Sequence, residues 1–104
     1  DYSGPVVGDT IEGITYFSHP SNPHTPHGWH VRNDGWMAAS VCMHEGIEIT
    51  KETPLTLRFA LHAHAGALDA ATAKSHFDNY AATSAYEVVK AAPPYRHQAR
   101  RRDV

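Results

Sequence analysis

Hydrophobic and polar positions in this 104-residue chain alternate in short runs bounded by Gly, Pro, Asn and Asp. The most regular run is LTLRFALHAHA, residues 55–65. Leu55, Leu57, Phe59, Leu61 and Ala63 share one parity; Thr56, Arg58, Ala60, His62 and His64 share the other. A period of two places each set on one side of a strand, so the run predicts an apolar face and a histidine face. Thr10 to Phe17 is rich in β-branched and aromatic residues and predicts a second strand, with Gly13 marking a bulge or a close backbone approach. Shorter strands are expected at 29–32, at 36–44 (buried) and at 47–50 (half-buried), with a hairpin turn at Asn33-Asp34-Gly35. Residues 19–28, HPSNPHTPHG, carry three prolines and are expected to form a rigid loop.

One helix is expected, near 69–84. Asp69 suits its N-cap, and Ala70, Ala73, Phe77, Tyr80, Ala81 and Ser84 recur at helical spacing. The sum is a mainly β chain: a compact antiparallel β-sandwich or jelly-roll, cupin-like, with one short C-terminal helix. Residues 1–91 form the single domain in this reading, and 92–104 an extended or disordered basic tail. A sandwich of this size leaves strand edges open, so a homodimer or a complementing β segment is expected.

Composition changes the picture in one respect. Nine histidines equal the nine Lys and Arg together in number, while the net charge is only −2. That balance gives no footprint for nucleic acid, and no apolar run is long enough to predict a membrane span. The single Cys42, between Val41 and Met43, excludes an internal disulfide and every multi-cysteine zinc motif. Any metal would therefore rest on histidine. His62 and His64, two apart on one strand, can aim at one point, and His19, His27 and His30 lie around the proline loop. Such a set suits copper, with zinc or iron as alternatives; an all-imidazole site binds Cu(II) most tightly among the divalent ions. Tyr16 and Arg32 are the candidate catalytic side chains, although Arg32 beside Asp34 also reads as a surface ion pair. Trp29 and Trp36 are candidate stacking surfaces for sugar rings, or members of a small aromatic core.

His19-Pro20-Ser21-Asn22-Pro23, then Pro26, then Trp29-His30-Val31-Arg32 and Gly35 resemble the bacterial "methane oxygenase PmoA-like" family. Asp1-Tyr2-Ser3-Gly4 and His64-Ala65-Gly66 extend the resemblance over about residues 1 to 80, the C-terminal portion of longer relatives. It implies a soluble, β-rich protein linked to carbohydrate use, and His19, His30 and His64 as a three-histidine set.

Two classes of function follow as expectations. The first is a copper-dependent oxidoreductase acting on a carbohydrate polymer, with His19, His30 and His64 as ligands and His62 or His27 as a further one. The second is a non-catalytic carbohydrate-binding or structural β-sandwich whose histidines only hydrogen-bond. A zinc or iron enzyme acting on sugars is a variant of the first. A chain that opens at Asp1 fits a trimmed or partial product, and a secreted or periplasmic location is the corresponding expectation.

Overall fold

The computed structural model describes residues 1–103; Val104, the end of the expected tail, lies outside them. Seven strands and one helix run in the order β1 (Tyr2–Pro5), β2 (Ile11–Ser18), β3 (Gly28–Val31), β4 (Met37–Ser40), β5 (Phe59–Ala65), α1 (Ala70–Ala81), β6 (Tyr86–Lys90) and β7 (His97–Arg101). All pairing is antiparallel. β1-β2-β5 make a three-stranded sheet, while β3-β4 and β6-β7 are separate two-stranded sheets, and none of them closes. The chain is thus mainly strands with one short helix, as the period of its hydrophobic pattern predicts.

The central sheet has two unlike faces. Register places Tyr16 opposite Leu61 and Ile14 opposite Ala63, and on the other side Thr15 opposite His62 and Gly13 opposite His64. The helix packs on the second of these. Phe77 and Tyr80 stand 6.2 and 6.5 Å from Phe17, ring to ring, and His76 lies 4.3 Å from His62. Asp69 caps the helix as expected, its carboxylate accepting from the Thr72 N–H at 2.9 Å and from the Thr72 hydroxyl at 2.7 Å. Those two bonds, the hydroxyl first, hold the Asp69 carboxyl below its ordinary value of 3.8.

The expected apolar face of β5 is therefore the less covered one, packed at Phe59 by Tyr16 and open at Leu61. Leu61 is 68% exposed, whereas the His62 and His64 side is covered. Among the described residues no hydrophobic side chain is buried, and the four buried residues are Thr15, His19, Asn22 and His27. The compactness expected from the sequence is correspondingly missing. The radius of gyration is 16.9 Å, where a chain of this length packs to about 13 Å. The exposed surface is 7896 Å², against about 5,800 Å² for a compact monomer of 11.5 kDa.

Other departures have local causes. β5 begins at Phe59 and not at Leu55 because the Asn22 side chain takes the ladder position at Arg58. Its Oδ1 accepts the Arg58 N–H at 2.8 Å and its Nδ2 donates to the Arg58 carbonyl at 2.7 Å. β4 stops at Ser40, whose carbonyl accepts the Met43 N–H at 3.0 Å in a turn, so residues 41–44 do not extend it. Residues 47–50 alternate in polarity but meet no partner strand and stay irregular. The turn at Asn33-Asp34-Gly35 forms, with Gly35 at φ +93°. After residue 91 the chain turns at 92–95 and returns as β7 against β6, so residue 91 falls inside a hairpin.

Asn22→Ala leaves the Arg58 N–H without its partner and the Arg58 carbonyl with the His19 N–H alone. The expected loss is about 1–3 kcal/mol in unfolding free energy, read by urea denaturation followed by circular dichroism; an unchanged midpoint would remove Asn22 from this role.

Candidate functional site

The helix-covered face of the central sheet gathers Asp1, Ser3, Thr15, His62, His64 and His76. The sequence permits it at Gly13, opposite His64. A side chain there would drive its Cβ into the Ser3 hydroxyl and place it 2.8 Å from His64 Cε1 and 2.9 Å from Nε2, so glycine lets both side chains lie across the strand. His64 Nε2 stands 2.7 Å from Asp1 Oδ2, and its Nδ1 lies 2.9 Å from the Gly66 carbonyl. The same Asp1 oxygen accepts from the Thr15 hydroxyl at 2.6 Å, and the Ser3 hydroxyl donates to the other carboxylate oxygen. Asp1 thus clamps β1, β2 and β5 together. Beside it, His62 Nδ1 is buried without a partner, with the His62 ring 4.3 Å from His76 and 5.8 Å from His64.

A second group lies under the proline loop. His19 Nδ1 accepts the Ser21 N–H at 3.1 Å, while its Nε2 stands 3.2 Å from the Ala81 carbonyl and 2.9 Å from Arg58 Nη1. Arg58 also donates to the carbonyls of Thr83 at 2.8 Å and Ser84 at 3.1 Å. His27 Nε2 meets the Ser18 hydroxyl at 2.7 Å, and its Nδ1 the Gly28 carbonyl at 2.8 Å. Tyr80 edges onto the His19 ring at 5.4 Å. Its hydroxyl is buried without a partner, and burial pushes the phenol above its ordinary 10.0 although the Arg58 charge partly offsets this.

The third group is on the β3–β4 hairpin. His30 is exposed, 6.2 Å from the ring of Trp36, which is itself 54% exposed. Arg32 pairs with Asp34 in the open, which is the surface ion pair the sequence also allowed. Trp29 and Tyr16 are packing residues: Tyr16 meets Trp29 edge-on at 5.0 Å and Phe59 at 5.4 Å.

The expected ligands are therefore divided among three places. His62 and His64 are together, His19 and His27 lie under the proline loop, and His30 stands on a different sheet. Among the described residues no three His, Cys, Asp or Glu side chains form a group that could hold a metal ion. The ring nitrogens of His19, His27 and His64 already meet protein groups, and a nitrogen that donates a hydrogen bond has no lone pair for a metal. The set His19, His30 and His64 does not fit a copper ion in this arrangement.

Four residues of these clusters escape a reading of the sequence: Asp1, Asn22, Arg58 and His76. Arg58 had a visible signal, as the one Lys, Arg, Asp or Glu between Pro54 and Ala65. His76 sits one residue before Phe77, beside the apolar stripe. Asp1 and Asn22 carry no local pattern, since each acts through partners far along the chain.

The opposite face of the sheet is an open groove of about 780 Å³, lined by Tyr2, Ile14, Tyr16, Met37 and Leu61 with Glu12 among them. A family model described as a family of unknown function, DUF6807, matches residues 1–78 of the chain, and that description carries no activity, substrate or metal. No curated protein and no solved structure matches it.

Gly13→Ala is expected to cost about 1–3 kcal/mol of stability by overpacking against His64 and Ser3, and less in a His64→Ala background, where only the Ser3 contact remains. Urea unfolding of the two single variants and the double variant reads the coupling; equal costs in both backgrounds would show that His64 is not what glycine accommodates.

Proposed function

This chain belongs to the DUF6807 family, and we propose that it works as a non-catalytic β module that binds and assembles through an open sheet face. One observation carries the reading: among the described residues every buried side chain is polar, while the apolar side chains of Ile14, Leu61 and Tyr2 are exposed together on one side of the sheet. Apolar surface laid out in this way is the signature of a face that a partner covers. The groove also falls within the range of about 300–1,000 Å³ usual for ligand sites. A second β layer on it would make the sandwich that the strand pattern predicts. The histidines of the proline loop then serve as cross-links between loop, strand and helix.

Carbohydrate is the proposed small ligand, through Trp36. Its exposed ring, flanked by His30 and the Arg32–Asp34 pair, offers the flat face and polar rim that a sugar ring uses. Kinship with the PmoA-like proteins is proposed on the HPSNP and WHVR segments, which lie within the matched residues. Addition of soluble oligosaccharide is expected to shift the tryptophan emission, and Trp36→Ala to abolish the shift. A shift that survives in Trp36→Ala would move the sugar site elsewhere.

A copper oxidoreductase is the second reading, and one feature favours it: the unpartnered Nδ1 of His62 beside the His76 ring. Two imidazoles are fewer than such a site needs. After dialysis against excess copper and zinc, the retained metal is expected to fall well below one ion per chain. About one copper per chain, lost in His62→Ala, would overturn the non-catalytic reading.

A further inference from the structure

We propose that the open face of the β1-β2-β5 sheet is covered by the β6–β7 hairpin of a second copy of this chain, in a reciprocal two-fold exchange. The inference rests on the module reading above and names the partner.

The hairpin has little support from its own chain. A lone two-stranded hairpin is at best marginally stable in water. This one packs within itself and has no comparable packing on any other strand or on α1. Its outer side presents Tyr86 and Val88, 60% and 74% exposed, with Ala99 opposite Val88. The apolar stripe has nothing to lie on.

Its own sheet face is out of reach. The root of the hairpin is held on the helix side of the sheet, where Arg58 donates to the carbonyls of Thr83 and Ser84 and the Arg102 N–H bonds back to Ala85 at 3.1 Å. The groove of Tyr2, Ile14 and Leu61 is on the other side. A hairpin anchored there can cover that groove only in another molecule.

Charge points the same way. Residues 86–103 carry five basic and two acidic side chains, whereas residues 1–85 carry four basic and nine acidic ones. Glu12 lines the groove itself. A basic arm on an acidic body attracts its copy and is steered to it. The area agrees as well. Each chain exposes roughly 2,000 Å² more than a compact monomer of its mass. Two such chains can bury an interface in the range of about 2,000–5,000 Å² found for obligate homodimers.

The test is the molar mass of the full chain by light scattering on a sizing column, from micromolar to millimolar concentration. The expected mass is twice 11.5 kDa, with association weakened by added salt. Leu61→Glu and Val88→Glu alter side chains that are exposed in the single chain, so each should keep its circular dichroism. Each should also weaken self-association by at least ~30-fold. Mixing the two variants should restore a dimer, because the intact hairpin of one meets the intact face of the other.

A monomer at every concentration, a dimer indifferent to both substitutions, or a mixture that stays monomeric overturns the exchange. Dye binding by the monomer then separates the two readings. A monomer that binds an apolar dye, and loses it in Leu61→Glu, sinks the second copy and leaves the module reading standing. A monomer that binds no dye sinks both.

Discussion

Everything in this molecule hangs on the requirement that buried polar groups be paired, and Asn22 meets that requirement at its centre. Its carboxamide copies the edge of a β-strand, giving Arg58 both an acceptor and a donor where a neighbouring strand would have done so. That one substitution of side chain for backbone ties the proline loop to the start of β5. It also fixes the Arg58 guanidinium so that it reaches His19 and the carbonyls after α1. Loop, strand, helix end and the root of the C-terminal hairpin are therefore positioned by one polar knot. An unpaired group in it would cost about as much as a core truncation in a domain this small.

A polar knot holds segments in register but supplies little of the driving force that apolar burial gives. Here the two roles are physically separate. The helix and histidine side of the sheet is organised by hydrogen bonds and ring contacts, with Asp1 binding Thr15 and His64. The Leu61 side holds apolar area and, beyond the Tyr16, Trp29 and Phe59 contacts, leaves it in water. That division explains both the expanded dimensions and the character of the histidines. Each ring that the proline loop and β5 bring inward meets a hydroxyl, a carbonyl or a carboxylate of the chain itself, which suits a cross-link better than a metal ligand. His62 is the exception among these rings, and its unpartnered nitrogen, like the buried Tyr80 hydroxyl, is a place where an outside group could still add a bond.

The sequence by itself determined the local elements. Period-two alternation sets β2 and the body of β5, Asp69 starts α1, Asp34-Gly35 makes the β3–β4 turn, and the prolines keep residues 19–27 out of regular structure. These are short-range effects, decided by dihedral preference and by neighbours within a few residues. Alternation also announced two faces on β5, but not which of them would be covered. That choice depends on where the helix lands. Partnering likewise lay beyond it: residues 47–50 alternate as well as any strand yet find no ladder, while the basic segment after residue 91 finds one in β6. Only the tertiary structure decided that His19, His30 and His64 stand apart and that Asn22 meets Arg58 across 36 residues. Spacing along a chain fixes direction only within one element, and the distance between side chains on different elements is set by packing.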